Sequence, residues 1–417
     1  MLEHYFRSPR VRARIRNNPI HEHIERLVEH LHIRGHRATT IHQYVQAAEH
    51  FGRWLSACQS RSLVVTKDSV NGFLDRHLLE CNCTLPATRS VKTARAALHH
   101  MLRVAPSQPD RDGDGADTPA AELVREYVEH LDVNCGLAHA TRRYRARYAR
   151  EFLEAHAPDG ASQLRRLQPH AVMRYVADCA SRCRRSSTQV AACALRSFLR
   201  FLQMRGLCRG TLARAVPRIP RWRHEGLPRY MTDEQHRQFL DSFDHVGATG
   251  RRDYAMTLFM SEMGLRVSEV TELHLDDIDW RAGTVRIRSA KERRTRLLPM
   301  PIRVGMATAS YLHEGRPPSA PRHVFLRHRA PLGTPVSREL VRGVVRRAYA
   351  RSECPHEWTG THILRHTVAT RLLRKGASLK EIADLLGHQS INTSTIYGKV
   401  NMPTLAAVAM SWPEVQP

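Results

Sequence analysis

Two segments of the chain, one hundred residues apart, carry the same helical pattern. In both, apolar residues recur at the spacing of one helical face, and the letters Val-Glu-His-Leu begin at Val28 and again at Val128. The correspondence continues from Phe51 to Phe152 and from the letters TKDSVNGFL to QPHAVMRYV. Such a repeat predicts a duplicated helical domain, with chance similarity between amphipathic helices as the alternative.

A stretch rich in Pro, Gly and Asp separates the two copies and predicts an exposed linker. A second boundary lies in RIPRWRHEGLPRYM, after which Thr232 and Gln235 form a capping-box pattern. We expect helices over Asp233–Phe243 and Arg252–Met263, then a strand pair in AGTVRIRSAKERRTRLLPM around a charged turn, then further helices.

The predicted fold is therefore multidomain, with an all-α N-terminal half followed by a mixed α+β domain. The expected segments are a basic N-terminal arm (1–16), a first helical domain (17–104), a linker (105–119), a second helical domain (120–225), the α+β domain (226–400) and a C-terminal tail (401–417).

The charge of the chain points to a polyanionic partner. Lys and Arg number 65 against 40 Asp and Glu, which gives a formal net charge of +25. A genome rich in arginine codons would explain arginine in place of lysine, but it would not explain the excess over acidic residues. Nucleic acid is the leading candidate.

No apolar run reaches the length of about 20 residues that a membrane span needs, and the N-terminus carries charges where a secretory signal would be apolar. We therefore expect a cytoplasmic protein without a membrane partner. The nine cysteines show no Cys-x-x-Cys pair, so they are interpreted as small, buried, reduced residues. Neither a metal site nor a cofactor is predicted.

Residues suited to phosphoryl transfer occur in four short motifs of the C-terminal half. Arg266 follows a helix-ending glycine, Gly264, in GLRVSEV, and His362 and Arg365 share one helical face in HILRH. Lys291, in SAKERRTR, is one of only six lysines in the chain. A lysine can donate a proton, whereas an arginine stays protonated.

The fourth motif is LGHQSINTSTIYGKV, with His388 and Tyr397. Its polar character suggests that Tyr397 is exposed and not needed for packing. A tyrosine can attack a phosphodiester without metal or nucleotide, provided that cations stabilise the phosphate and an acid protonates the leaving oxygen.

Taken together and in this order, GLRVSEV, SAKERRTRLLPM, HILRH, LGHQS and TIYGKV resemble the tyrosine recombinase (phage integrase) family. The resemblance to the family's catalytic domain covers about residues 226–400, and residues 120–218 resemble its helical core-binding domain. It implies a site-specific DNA recombinase that forms a 3′-phosphotyrosyl intermediate, either an integrase or a transposon-associated enzyme.

The resemblance also implies a role for each residue. Arg266 and Arg365 would bind the scissile phosphate, with His362 and His388 beside them. Lys291 would protonate the leaving 5′ oxygen, and Tyr397 would be the nucleophile. Glu269 occupies an acidic position that is expected to be structural. The turn around Lys291 is longer than the family's compact form.

The implied partners are double-stranded DNA and further copies of the chain, as a dimer on one site and a tetramer in the synapse, with an accessory recombinase as a further candidate. The first helical domain would hold extra DNA or another protomer. Expected phosphate contacts lie on two arginine-rich segments: Arg142, Arg143, Arg145, Arg147, Arg150, Arg182, Arg184 and Arg185. The alternatives are an architectural DNA-binding protein without cleavage activity and a DNA-relaxing enzyme of type IB chemistry.

Overall fold

The computed structural model describes residues 1–58, 65–83, 90–104, 118–158, 161–220, 228–289, 294–352, 354–355, 358–388, 390 and 395–398. The chain divides into two compact units, one of Met1–Ser107 with Gly226–Pro417 and the other of Gln108–Glu225. Its described residues are treated below as a first helical group (1–104), a second helical group (118–220) and a C-terminal group (228–398). Among these residues, no helix combines the length and the apolar composition needed to cross a membrane.

The first helical group has its own hydrophobic core. Its helices are α1 (Leu2–Tyr5), α2 (Pro9–Arg16), α3 (His21–Ile33), α4 (Ala38–Cys58), α5 (Lys67–Asp75) and α6 (Val91–Val104), with a 3-10 helix at His77–Leu79. The predicted face of α3 is confirmed, since Ile24, Leu27, Val28 and Leu31 are fully buried. The first sixteen residues, expected to be a basic arm, form α1 and α2 and bury Leu2 and Ile15 in this core.

The second helical group has a separate core. Its helices are α7 (Pro119–Val133), α8 (His139–His156), α9 (Ala161–Arg166), α10 (Pro169–Arg182), α11 (Arg185–Met204) and α12 (Thr211–Ala215). Thr118 caps α7 by accepting a hydrogen bond from Ala121 N–H, and Pro119 occupies the first turn. Phe51 of α4 and Phe152 of α8, which correspond in the sequence repeat, are each fully buried in their own core. The predicted all-α N-terminal half is confirmed.

The C-terminal group combines helices with a small antiparallel sheet, as predicted. Its elements are α13 (Asp233–Asp241), α14 (Ala248–Ser261), α15 (Val267–Thr271), a 3-10 helix (Leu275–Asp277), β1 (Ile278–Asp279), β2 (Thr284–Ser289), β3 (Arg294–Pro299), α16 (Ile302–Glu314), α17 (Arg338–Arg351), α18 (His362–Arg374), α19 (Leu379–Leu386) and α20 (Thr395–Gly398). The capping box of Thr232 and Gln235 starts α13, and the expected strand pair is β2–β3. The short strand β1, which pairs with β2, was not predicted.

The expectation that the cysteines are small buried residues is wrong for most of them. Cys179 and Cys354 are buried, whereas the exposed cysteines are Cys58, Cys83, Cys135, Cys183 and Cys193. The interpretation failed because burial follows the position of a residue on its helix or turn, and a thiol tolerates either environment. Cys81 and Cys208 are intermediate, and all nine thiols are free.

Candidate active site

A glycine turn after α14 forms one wall of the site. Gly264 has φ +67°, a left-handed conformation that side chains rarely adopt, and a Cβ there would lie 2.5 Å from Leu386 Cδ2. Leu265 N–H donates to Phe259 O at 3.1 Å, which closes the end of the helix, as predicted for a helix-terminating glycine. The absence of a side chain lets this turn approach the last residue of α19.

Arg266 is held at the start of α15 by a buried carboxylate. Its backbone N–H donates to Glu269 Oε2 at 2.8 Å, and its Nη1 donates to Glu269 Oε1 at 3.1 Å. Its Nη2 donates to Gly387 O at 2.9 Å. Glu269 is 4% exposed and also accepts from Arg296 Nη2 of β3 at 2.9 Å. This carboxylate therefore fixes two guanidinium groups, which supports the structural role expected for it.

Arg365 lies on α18, 6% exposed, and two backbone carbonyls hold its guanidinium. Nη1 donates to Gly264 O at 2.7 Å, and Nη2 donates to Leu386 O. Burial and the nearby charge of Arg266 lower the pKa of Arg365 to about 10, so it remains a cation at neutral pH. Arg266 and Arg365 are about a hundred positions apart in the sequence, but both donate to backbone carbonyls at the end of α19. Arg365 also donates to the carbonyl of Gly264, two residues before Arg266.

The groups around Arg266 and Arg365 carry mainly positive charge. The charged groups that act on Arg365 include the cations Arg266 and Arg296 and the carboxylate of Glu269. Among the described residues, three guanidinium groups thus lie around the carboxylate of Glu269, and such a group of cations suits an anion such as a phosphodiester.

Two histidines flank the arginines, and their surroundings lower both pKa values. His362 begins α18, one turn before Arg365; its side chain is exposed, but partial desolvation and the charges of Arg365 and Arg266 lower its pKa. His388 follows the left-handed Gly387 at the end of α19. Burial, then the charge of Arg365, lowers the pKa of His388 to about 4. A neutral imidazole has one N–H donor and one nitrogen acceptor, so either ring could exchange a proton with a bound group.

Tyr397 is buried, and the expectation that it would be exposed is wrong. Its side chain is 2% exposed and packs in a small core with Ala369 of α18 and with Ile382 and Leu386 of α19. The expectation failed because it was based on the polar residues next to Tyr397 in the sequence, whereas the apolar residues that bury its ring belong to α18 and α19. Burial raises the pKa of the phenol, and the charge of Arg365 opposes that effect.

The hydroxyl of Tyr397 has a partner that the sequence reasoning missed. Tyr397 Oη lies 3.1 Å from His366 Nδ1, within hydrogen-bond distance, and the two rings meet at 61°. The ring of His388 lies parallel to that of Tyr397, with centroids 6.4 Å apart. Burial, followed by the nearby His362, lowers the pKa of His366 to about 4, so its neutral ring can accept the phenolic hydrogen. The sequence did contain one indication of this role: His366 follows His362 by one helical turn and so lies on the same face of α18.

Lys291 and the C-terminal tail (401–417) lie outside the described residues, as do most of the linker and the segment 391–394 before α20. The hairpin that contains Lys291 is described in its two arms, β2 and β3. The hydrogen bond from Arg296 to Glu269 joins β3 to the base of the site.

The arginines expected to contact DNA differ in their surroundings within the second helical group. Arg142 forms an ion pair with Asp132, and Arg145 donates to Ser197 Oγ at 3.0 Å, so both help to hold helices together. The others fall on α8 and around the α10–α11 turn, where the exposed ones are Arg143, Arg147, Arg182, Arg184 and Arg185, and Arg150 is half-buried. A basic groove of this group that was not predicted is lined by Arg196, Arg200, Arg214 and Arg218.

Comparison with known proteins identifies the family. The model of the phage integrase family matches residues 229–403, and that of the phage integrase N-terminal SAM-like domain matches residues 124–206. A protein of Sinorhizobium fredii named as an integrase/recombinase (y4rA) is 34% identical over 400 residues, which cover 95% of each chain. The chain belongs to the phage integrase family of tyrosine recombinases.

One further relative supports this membership, and one solved structure shows the fold. The tyrosine recombinase XerC of Pelobacter propionicus is 30% identical over 70% of this chain and 94% of its own length. The crystal structure of the XerH site-specific recombinase bound to a palindromic difH substrate is 16% identical, with a TM-score of 0.56 over 83% of this chain and 95% of that one, and shows the same fold. This tyrosine recombinase is an enzyme that breaks and rejoins DNA strands.

Proposed function

We propose that this tyrosine recombinase is a site-specific DNA recombinase of a mobile element and that Tyr397 is its nucleophile. The observation that carries the proposal is the burial of the Tyr397 hydroxyl against His366, in the same cluster as the paired cations Arg266 and Arg365. A buried phenol with a hydrogen-bond partner is held in one orientation, as in-line attack requires.

The reaction exchanges one phosphodiester for another. Tyr397 Oη forms a bond to the scissile phosphorus, the bond from phosphorus to the 5′ oxygen breaks, and the phenolic proton passes to a base. Arg266 and Arg365 neutralise the charge that develops on the phosphate, and His362 and His388 donate hydrogen bonds to it or transfer protons. Lys291 protonates the leaving 5′ oxygen. Because the 3′-phosphotyrosyl bond keeps the energy of the phosphodiester, a partner 5′-hydroxyl can reseal the strand without ATP.

The partners are double-stranded DNA and further copies of the chain. The positive charge of the site and the exposed arginines of the second helical group would contact phosphates. One solved relative of similar fold is a lambda integrase dimer bound to a COC′ core site, and another is the integrase of the transposon Tn1549 in complex with circular intermediate DNA. By analogy, we propose a dimer on each site, a tetramer in the synapse, and an accessory recombinase as a further candidate partner.

The test is the capture of a covalent adduct on DNA that flanks the gene. Nicked duplexes that tile these flanks are incubated with the protein and denatured, and the tyrosine attached to DNA is identified by peptide mass spectrometry. We expect an adduct at Tyr397 that Tyr397→Phe removes and the matched control Tyr254→Phe retains. An adduct that survives Tyr397→Phe would refute the assigned nucleophile.

Adduct capture, together with a separate supercoil-relaxation assay, separates the alternative functions. Specific binding without any adduct would indicate an architectural protein, and relaxation of supercoiled DNA without a target site would indicate a type IB-like enzyme. For the proton donor, Lys291→Arg should keep DNA binding and slow cleavage, because a guanidinium does not release its proton. Unchanged cleavage in this variant would assign the acid to another residue.

A further inference from the structure

Four side chains suited to metal binding converge in the first helical group, although no metal site was predicted. His50 lies on α4, His77 begins the 3-10 helix after α5, and Cys81 and Cys83 follow in the next turn. One ligand atom of each residue lies within 4.8 Å of all the others. Two imidazole nitrogens and two sulfurs form a ligand set of the kind that zinc prefers in structural sites.

Three of the distances between these atoms are close to the edges of a zinc tetrahedron. With Zn–N of about 2.05 Å and Zn–S of about 2.3 Å, a tetrahedral site separates two nitrogens by about 3.3 Å and a nitrogen from a sulfur by about 3.6 Å. The Nε2 atoms of His50 and His77 are 3.2 Å apart. Cys81 Sγ lies 3.4 Å from His50 Nε2, and Cys83 Sγ lies 3.7 Å from His77 Nε2. A central ion would keep these three pairs at nearly their present separations, and the other pairs already lie within 4.8 Å of one another.

Packing fixes both imidazole rings in this arrangement. The ring of His77 stacks on Phe73 with centroids 5.4 Å apart, and His50 meets the same phenyl ring edge-on at 5.0 Å. Trp54 contacts His77 from another direction at 5.8 Å. His50 is 1% exposed, so its ring is held within the core. Rigid orientation of the ligands before binding favours a tight site.

The second helical copy shows that this cluster is not a general consequence of the fold. With Phe51 aligned to Phe152 and TKDSVNGFL aligned to QPHAVMRYV, the four ligands correspond to Glu151, Cys179, Cys183 and Arg185. There the helix α10 continues to Arg182, whereas α5 ends at Asp75 and the chain turns back. The turn in the first copy brings His77, Cys81 and Cys83 to α4.

We propose that His50, His77, Cys81 and Cys83 bind one Zn²⁺ ion as a structural site. Both cysteines bind as thiolates and release their protons to solvent, so the two negative charges balance the charge of the ion. Four protein ligands complete the coordination sphere and leave no open position for catalysis. The ion links the segment after α5 to α4 and thereby stabilises the first helical group. This inference is independent of the proposed recombination reaction.

The first test measures the zinc content of the full-length protein. After reconstitution with zinc and removal of weakly bound metal, we expect one ion per chain in the wild type and a loss of roughly tenfold in the double variant Cys81→Ser, Cys83→Ser. The matched control is Cys58→Ser, an exposed cysteine on α4 outside the cluster, which should keep its zinc. Zinc that is absent from the wild type, or retained in the double variant, would overturn the proposal.

A second measurement does not depend on how the variants fold. Cobalt(II) in place of zinc in the wild type should give the d–d bands of a tetrahedral ion and a thiolate-to-cobalt charge-transfer band. Chelation should also lower the unfolding temperature of the wild type and of Cys58→Ser but not that of the double variant. A cobalt spectrum without the thiolate band would mean that the four residues form only a hydrogen-bonded cluster, and recovery of Cys81 and Cys83 as a disulfide would contradict the site as well.

Discussion

Replacement of His366 tests whether its hydrogen bond to Tyr397 positions this proposed nucleophile. His366→Phe keeps an aromatic ring in the pocket but removes the acceptor that lies 3.1 Å from Tyr397 Oη. His366→Asn is the matched control, because the side-chain oxygen of asparagine can lie near the position of Nδ1 and accept the same hydrogen bond. The two variants separate the loss of the hydrogen bond from the loss of the imidazole.

The size of the effect follows from the burial of the phenol. Tyr397 is 2% exposed, so water cannot replace the lost partner. An unpaired buried hydroxyl costs about 1–3 kcal/mol. Since about 1.4 kcal/mol corresponds to a factor of ten, the equilibrium constant for docking of the tyrosine should fall roughly 5- to 150-fold. Adduct formation from the docked arrangement should therefore slow by up to this factor.

The assay is the single-turnover rate of covalent adduct formation at saturating protein, with DNA affinity measured separately. We expect His366→Phe to bind DNA normally and cleave slowly, and His366→Asn to recover most of the rate. The control His236→Phe, at a buried histidine of α13, should cleave at the wild-type rate. A wild-type rate in His366→Phe would refute the positioning role. Equal slowing in the Phe and Asn variants would show that the hydrogen bond is not the cause.

Three further outcomes follow from the same site. Glu269→Gln should lower the free energy of unfolding, measured by urea denaturation, by about 3 kcal/mol. This is the lower end of the range for breaking a buried ion pair, because the arginine partners of Glu269 are partly exposed. The control Glu339→Gln, at an exposed ion pair, should change the free energy of unfolding little. Gly264→Ala should destabilise more than Gly283→Ala and slow cleavage, because both glycines have positive φ but only the first new Cβ would clash; equal effects would contradict the clash. The unfolding temperature should fall as pH is lowered from about 6.5 to about 4, because burial lowers the pKa of His366 and His388 to about 4 while the unfolded chain takes up protons near 6.5. A flat profile over this range would contradict the last expectation.

Much of the fold could be predicted because local rules decide it. The capping box at Thr232, the apolar face of α3 and the β2–β3 pair each depend on residues close together in sequence. The strand β1 is only two residues long, too short for an alternating pattern, and it exists because Ile278 pairs with Val285. The family resemblance supplied the roles of the candidate residues, which depend on a long-range arrangement that no local pattern shows.

The environment of each candidate residue could not be predicted, because it depends on separate segments. Arg365 donates hydrogen bonds to the backbone carbonyls of Gly264 and Leu386. Every residue has such a carbonyl, so the sequence does not indicate which ones will be used. The same limitation applies to the metal-binding cluster, whose ligands come from α4 and from a turn about thirty residues later.

The burial of Tyr397 changes what DNA binding must accomplish at this site. An exposed nucleophile would have to be ordered by the substrate, and part of the binding energy would be lost in fixing its side chain. Here Ala369, Ile382 and Leu386 hold the ring, and His366 holds the hydroxyl, before DNA is present. Burial also raises the pKa of the phenol, so the phenolate costs more to form here than on an exposed tyrosine. The positive charge of Arg365 lowers this cost, so the cation expected to bind the phosphate also helps to form the phenolate.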